Sequence, residues 1–308
     1  MELDEALQDA YQYGCQFTDQ GVVADYIPEL AKEDPHRVGA AAIGPDDRLF
    51  TMGDAEYKFS AQSIAKIMIY LGVLENYDLS YVRKFIGVTP SSKPFNSILE
   101  LELSHHKVPV NPFINAGAIV ATSLLMEKYR SNTFEMIRKR AREIIGNDHL
   151  DYSHSLYLSE SNSAFANRAL TYMLLNDGII QSDVNVEDLL SAYFRACSLM
   201  VNSIDLARLG AVLAHEGKGP DGKQLIRKEH AATIRTVMAT CGTYDYAGDF
   251  ALLVGIPAKS GVGGGFVAST KNGYGFGVYC PGLDSHGNSY VGVRILQKLS
   301  QNLNLSIY

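Results

Sequence analysis

The stretch Phe59 to Lys66, FSAQSIAK, sets a serine three residues ahead of a lysine at the head of an apolar run. From Ile64 to Leu74, IAKIMIYLGVL, Lys66 is the only charged residue, and apolar residues occupy nearly every side of the helix that the run predicts. A helix apolar all round is a buried one. Desolvation lowers the pKa of an ammonium held there, giving a neutral amine able to take a proton near pH 7. Residues three apart on a helix are neighbours, so the Ser63 hydroxyl is expected beside that amine. A place in the first helical turn leaves the Ser63 N–H to serve an oxyanion. The competing reading is that Ser60 or Ser63 caps the helix and Lys66 snorkels to the surface. Ser-x-x-Lys alone arises often by chance and does not decide between them.

A second stretch, PAKSGVGGG from Pro257 to Gly265, puts Lys259-Ser260-Gly261 on a predicted strand. The glycines that follow let another backbone or a ligand approach closely; taken singly, the stretch could equally be a bulged strand edge. Ser-x-x-Lys early and Lys-Ser-Gly late, in that order, is the pattern of serine hydrolases of the β-lactamase and penicillin-binding type. Their middle motif, Ser/Tyr-x-Asn, is missing between the two, since the only Ser-x-Asn is Ser300-Gln301-Asn302 in the closing helix. That speaks against a penicillin enzyme.

Outward from these motifs, the chain reads as a helix at about Leu3 to Tyr13, then a hairpin in RVGAAAIGPDDRLFTMGD around a Pro-Asp-Asp turn. From Tyr81 to about Met238 the pattern is mostly helical: NAGAIVATSLLMEKY, TFEMIRKRAREII, SAFANRALTYMLLND, NVEDLLSAYFRACSLM and SIDLARLGAVLAHEG carry apolar residues at three and four spacing. FALLVGIPAKSG, GGFVAST and GYGFGVYC read as strands, and SYVGVRILQKLSQNL as a closing helix. The expected fold is α+β: one antiparallel sheet built from distant segments, flanked by the terminal helices, with an inserted helical subdomain and a cleft between the layers. The 308 residues are expected to form a single catalytic domain, the sheet layer at about 1–78 and 239–308 and the helical part at about 79–238.

Composition excludes several classes. A net charge of -7, with no basic cluster denser than IRKRARE, gives no footprint for nucleic acid. No apolar segment reaches the roughly 20 residues of a membrane span. The acidic, amphipathic MELDEALQDAYQYG lacks the features of a secretory signal, so a cytoplasmic protein is expected. Cys15, Cys197, Cys241 and Cys280 lie far apart and suit reduced thiols. There is no His-Glu-x-x-His, and the adjacent His105 and His106 cannot share a helix face, so no metal site is expected.

With these blocks in view, the whole chain resembles the serine-dependent glutaminases, a family of serine β-lactamase/transpeptidase-like fold that hydrolyses L-glutamine to L-glutamate and ammonia. DYIPELAK, FSAQSIAK, NPFINAGAIV, the Ser159 to Asn167 segment, AYFRACS, CGTYDYAG and PAKSGVGGG look like that family's blocks in its order. The chain is similar to the short bacterial type, without the ankyrin repeats of larger animal members. The resemblance implies Ser63 as nucleophile, Lys66 as its base, Tyr244 as the tyrosine that assists proton transfer, and Tyr26 as a second catalytic tyrosine. Substrate contacts would come from Ser63, Asn115, Glu160, Asn167, Tyr193, Tyr244 and the main chain of Val262, with Lys259 supplying positive charge on the strand edge. It implies no cofactor, and a homodimer or homotetramer.

The chemistry agrees with that transfer. A free amino acid brings an ammonium, a carboxylate and a neutral amide, so its pocket needs one anion and several donors. Glu160 can supply the first, and Asn115, Asn167 and the tyrosines the rest. Each also has an ordinary structural reading as a helix-end charge, a loop asparagine or a core tyrosine. Two rivals stay open: another hydrolase on the same scaffold, and a ligand sensor that binds glutamine without turning it over.

Overall fold

The structure is a computed structural model and describes residues 1–94, 96–104 and 107–308. The His105-His106 pair lies outside the described residues. In chain order the elements begin with α1 (Leu3–Cys15), β1 (Val22–Val23), β2 (Gly39–Ile43), β3 (Leu49–Gly53), β4 (Phe59–Ser60), α2 (Lys66–Asn76), α3 (Leu79–Val82) and α4 (Ile98–Leu103). They continue with α5 (Asn115–Tyr129), α6 (Thr133–Ile145), α7 (His154–Ser163), α8 (Phe165–Asn176), α9 (Val186–Cys197), β5 (Met200–Val201), α10 (Ser203–Ala214) and α11 (Lys228–Cys241). The last are α12 (Ala247–Leu253), β6 (Ala258–Ser260), β7 (Gly265–Ser269), β8 (Gly275–Tyr279), β9 (Gly282–Leu283) and α13 (Tyr290–Leu303).

Five strands form one antiparallel sheet in the order β3-β2-β8-β7-β6, so the early hairpin joins strands more than 200 residues later. Its two faces are built differently. On one, Ala40, Ala42, Phe266, Phe276 and Val278 pack against α1 and α13. On the other, Ala41 and the glycines of β8 leave a shallow surface that takes the backbone of α10. A Cβ on Gly275 would stand 2.1 Å from the Ala211 nitrogen, and one on Gly277 would stand 2.0 Å from the Ser203 oxygen. The alternating glycines of GYGFG are therefore required by a helix lying directly on the sheet.

Apart from α12, whose Phe250 stacks on Phe266 of the sheet, most of the remaining helices form the second layer around α2, which is buried from Lys66 to Leu74 and packs against α5, α6 and α11. Helix α10, within the stretch expected to be helical insertion, belongs by its packing to the sheet as well. The junction between the layers is occupied by the turn at Gln62–Ala65, which touches α9 on one side and β6 and β7 on the other. Among the described residues no helix is long and apolar enough to cross a membrane.

Two local expectations are corrected. FSAQSIAK does not open a continuous α-helix: Phe59–Ser60 is a short strand paired with β5, Gln62–Ala65 a 3-10 turn, and the α-helix starts only at Lys66. FALLV is the end of helix α12, and the strand is confined to Ala258–Ser260. A short apolar run bounded by Gly and Pro fits a buried strand or a buried helical turn equally. The helix expected over SAFANRALTYMLLND stands as α8 (Phe165–Asn176), with Ser163 the last residue of α7 and Ala164 the break between the two.

Candidate active site

The Ser63 turn is fixed from both sides. Phe59 stacks on Tyr279 at 4.1 Å between ring centroids, and β4 pairs with β5. The glycines of PAKSGVGGG press against the same segment: a Cβ on Gly261 would lie 2.6 Å from the Ala61 oxygen, and one on Gly263 2.5 Å from the Ser60 oxygen. Glycine is needed at both, and the Val262 main chain is thereby held alongside Ser63. Gln62 is driven to a left-handed φ of +46°, which sharpens the turn just before the serine. Neither the 3-10 turn nor α2 has a side-chain cap, so the capping reading of Ser60 and Ser63 does not hold.

Lys66 does not snorkel; it is fully buried. Its Nζ donates to the Phe113 carbonyl at 3.1 Å and to Asn115 Oδ1 at 2.7 Å. Burial pulls its pKa down to about 8, against opposing pulls from Cys197 and Glu160. The acceptors are set in place by Asn111, whose Oδ1 takes the N–H groups of Phe113 and Ile114 while its Nδ2 donates to the Thr89 carbonyl. Asn115 passes the network on: its Nδ2 donates to Asn167 Oδ1 at 2.8 Å, and its Oδ1 also accepts from the Tyr193 hydroxyl at 3.4 Å.

Tyr244 approaches Ser63 from the sheet side. Its backbone is left-handed, with φ +62°, and its hydroxyl is hydrogen-bonded with Ser63 and donates to the Ser260 carbonyl at 3.2 Å. Burial pushes the phenol up to about 12, although hydrogen bonds with the Ser63 and Ser260 side chains work against that rise. The Lys259 amine lies 4.2 Å from the centre of the Tyr244 ring and donates to the Ser260 carbonyl at 2.5 Å. Lys259 is completely buried, and burial, then the neighbouring Lys66 charge, lowers its pKa far below the usual lysine range.

Ser63 opens into a cavity of about 190 Å³ lined also by Tyr26, Asn115, Glu160, Asn167, Tyr193 and Val262. Such a volume, below the roughly 300–1,000 Å³ of drug-sized pockets, suits a very small molecule. The sequence-expected residues thus converge: seven share the cavity, Tyr244 reaches it through Ser63, Lys66 through Asn115, and Lys259 stands behind Tyr244. Glu160 supplies the acidic group. Burial raises its pKa to about 7, while Gln62 and Lys66 pull the other way, and its Oε2 is buried without a hydrogen-bond partner. Tyr26 stands at the rim, about half exposed (53%). Desolvation of its hydroxyl, followed by the charges of Tyr244 and Glu160, raises its pKa.

Two further polar lining residues, Gln62 and Cys197, were not among those expected from the sequence. Gln62 sits inside the Ser-x-x-Lys block, and its buried Nε2 also lacks a partner, but only the left-handed turn aims it at the cavity. Cys197 lies one helical turn after Tyr193 on α9, so helical spacing could have placed it on the same face.

An antiparallel sheet with helices on both faces, and a small polar cleft between sheet and helical layer, define an α+β protein of β-lactamase-like fold. The model of the glutaminase family matches residues 21–308. The chain is 41% identical over 308 residues to the glutaminase of Clostridioides difficile strain 630, covering 99% of each. It is also 41% identical over 296 residues to glutaminase 2 of Clostridium perfringens strain 13, covering 95% of this chain and 96% of that one. A Bacillus glutaminase crystal structure superposes over the full length of both chains with a TM-score of 0.90 at 31% identity. A Bacillus subtilis glutaminase in covalent complex with 5-oxo-L-norleucine, formed by reaction with 6-diazo-5-oxo-L-norleucine, matches over both full lengths with a TM-score of 0.89 at 31% identity. The chain belongs to the glutaminase family, as its motifs implied.

Proposed function

We propose that the protein hydrolyses the side-chain amide of L-glutamine to L-glutamate and ammonia through a glutamyl ester on Ser63, with Lys66 as the base. The observation that carries this reading is the meeting, at one small cavity, of a Ser63 hydroxyl bonded to Tyr244, a buried amine with its pKa near 8, and a buried carboxylate with an unpartnered oxygen. A neutral amine has two N–H bonds and one lone pair. Two of its hydrogen bonds run to Phe113 O and Asn115 Oδ1, and in this reading its lone pair takes the Ser63 proton.

The Ser63 oxygen attacks the amide carbon, and the main-chain N–H groups of Ser63 and Val262 receive the oxyanion. The C–N bond breaks as Tyr244 or protonated Lys66 delivers a proton to the departing nitrogen. A phenol with its pKa near 12 holds its proton at neutral pH and is fit to donate it. Water then attacks the ester by the reverse route, giving glutamate and free Ser63. Glu160 Oε2 meets the substrate ammonium, which returns to that carboxylate the ionised form that burial disfavours. Asn167, Tyr193 and Tyr26 complete the polar lining.

The covalent adduct named for the Bacillus subtilis relative, an alkylation that expels N2, supports a nucleophile within reach of the glutamine side chain and supplies the probe. Incubation with 6-diazo-5-oxo-L-norleucine should add one norleucine-derived mass to the peptide that contains Ser63, and Ser63→Ala protein should take up none. Glutamine turnover by Ser63→Ala protein at the wild-type rate would defeat the assignment.

A further inference from the structure

The cleft does not end at Tyr26 and Val262. A second cavity, of about 630 Å³, has both of these residues in its wall and runs on to Leu283, Asp284 and His286. Tyr26 and Val262 are therefore a partition with the small Ser63 cavity on one side and a space about three times larger on the other. The inner cavity, at about 190 Å³, lies below the roughly 300–1,000 Å³ of drug-sized pockets and suits a group of glutamyl size. Anything carried on the amide nitrogen has to lie outside it. In the mechanism above Val262 supplies an oxyanion donor and Tyr244 or Lys66 the proton for the departing nitrogen; Val262 is itself in the partition, and Tyr26 beside it interacts electrostatically with Tyr244. A substituent on that nitrogen is thereby placed next to the partition.

We propose that the outer cavity is a leaving-group subsite, so that the enzyme also cleaves glutamines bearing an alkylamine on the amide nitrogen and releases the amine in place of ammonia. This rests on the Ser63 ester reading above. The Ser63 O–C bond forms, the C–N bond breaks, and the nitrogen takes one proton from Tyr244 or Lys66 to leave as a primary amine. Water then hydrolyses the same glutamyl ester, so the sum is substituted amide plus water to glutamate plus amine.

The lining also ranks the amines. Asp245 and Asp284 face this space, His286 Nδ1 lies 3.1 Å from Asp245 Oδ1, and among the described residues no lysine or arginine lines it. A leaving group ending in an ammonium is favoured over a neutral one, and a carboxylate-ended one is disfavoured.

Three chain-matched probes test this: γ-N-(4-aminobutyl)glutamine, γ-N-butylglutamine and γ-N-(3-carboxypropyl)glutamine, with released glutamate measured beside the rate on glutamine. All three should be cleaved, and neighbouring members of the series should differ in kcat/KM by roughly threefold to fivefold, the worth of a partly exposed ion pair. Asp284→Asn keeps the Oδ1 acceptor for the His286 and Asn288 N–H groups, at 2.9 Å each, and removes only the charge. It should narrow the spread between cationic and anionic probes relative to glutamine, and Asp245→Asn should do the same. Normal turnover of glutamine with none of the three probes cleaved would overturn the subsite. Cleavage of all three at rates untouched by either variant would overturn its charge preference. Absence of turnover on glutamine itself would instead defeat the parent reading.

Discussion

Two sets of charged residues in this molecule are handled in opposite ways. On the surface, Arg168 meets Glu187 through two parallel contacts of 2.8 Å, Arg138 meets Asp151 at 2.7 Å, and Arg140 meets Glu75 at 2.6 Å. The carboxylates of the first two pairs are held below their ordinary pKa, so those partners keep each other charged. In the cleft, burial pushes Lys66, Lys259 and Glu160 toward their neutral forms. A chain selected for stability alone would place apolar residues at such sites. Titratable groups retained there, and tuned toward neutral pH, mark where protons are moved.

The largest effect expected from breaking this contrast falls on the cleft. Ser63→Ala and Lys66→Met should each lower kcat by at least ~10⁴-fold, the scale on which a nucleophile or its base is lost. The same Lys66→Met chain should be more stable than the wild type. The folded-state pKa of Lys66, about 8, lies below the ordinary 10.5, so the folded chain binds fewer protons between these values and stability rises with pH through that window. Below it the buried amine costs roughly 3 kcal/mol, most of which an apolar side chain should recover. Thermal denaturation at pH 7 and pH 10 measures both points. A Lys66→Met protein no more stable at pH 7 would show that the amine is not strained by burial.

Next in size is Glu160→Gln, which should raise KM for glutamine by roughly 10²-fold with a smaller change in kcat, as loss of a buried charge partner does. Its pH signature sharpens the contrast further. In the free enzyme kcat/KM should fall about tenfold per unit below pH 8 as Lys66 gains a proton. The fall should steepen below about 7 as Glu160 becomes neutral. In Glu160→Gln the second break should vanish and the first remain. Surface pairs would produce neither limb, since their groups titrate far from this range.

How much of this was legible follows from where the information lies. Helices α5 and α6 begin and end where the sequence pattern does, α6 because one face lies on the core and α5 because it is buried on every side from Asn115 to Leu125. Lys66 could be read as buried because it is the sole charge in an eleven-residue apolar run. The 3-10 turn beneath Ser63 could not, since it is imposed by Gly261 and Gly263, about 200 residues away. The docking of α10 on the sheet was written only as alternating glycines in β8, a signal that makes sense once a helix backbone is known to lie there. Gln62 and the left-handed Tyr244 depend on local backbone conformations that no spacing announces.

The smallest effect belongs to the surface set, and its smallness is the point. Glu187→Ala removes both contacts from Arg168 but leaves that guanidinium bonded to the Ser161 carbonyl at 2.8 Å, so the link between α7 and α8 survives. Glu187 is largely exposed (61%), and water screens the pair despite its two-pronged geometry. The expected loss is below about 1 kcal/mol in denaturant unfolding, shrinking further in high salt, with kcat and KM unchanged. Arg168 directly follows Asn167 of the cleft, which makes this the strictest control for the contrast. If so exposed a pair altered KM, the cleft would owe its geometry to surface charge, and the separation between the two sets would fail where they come closest.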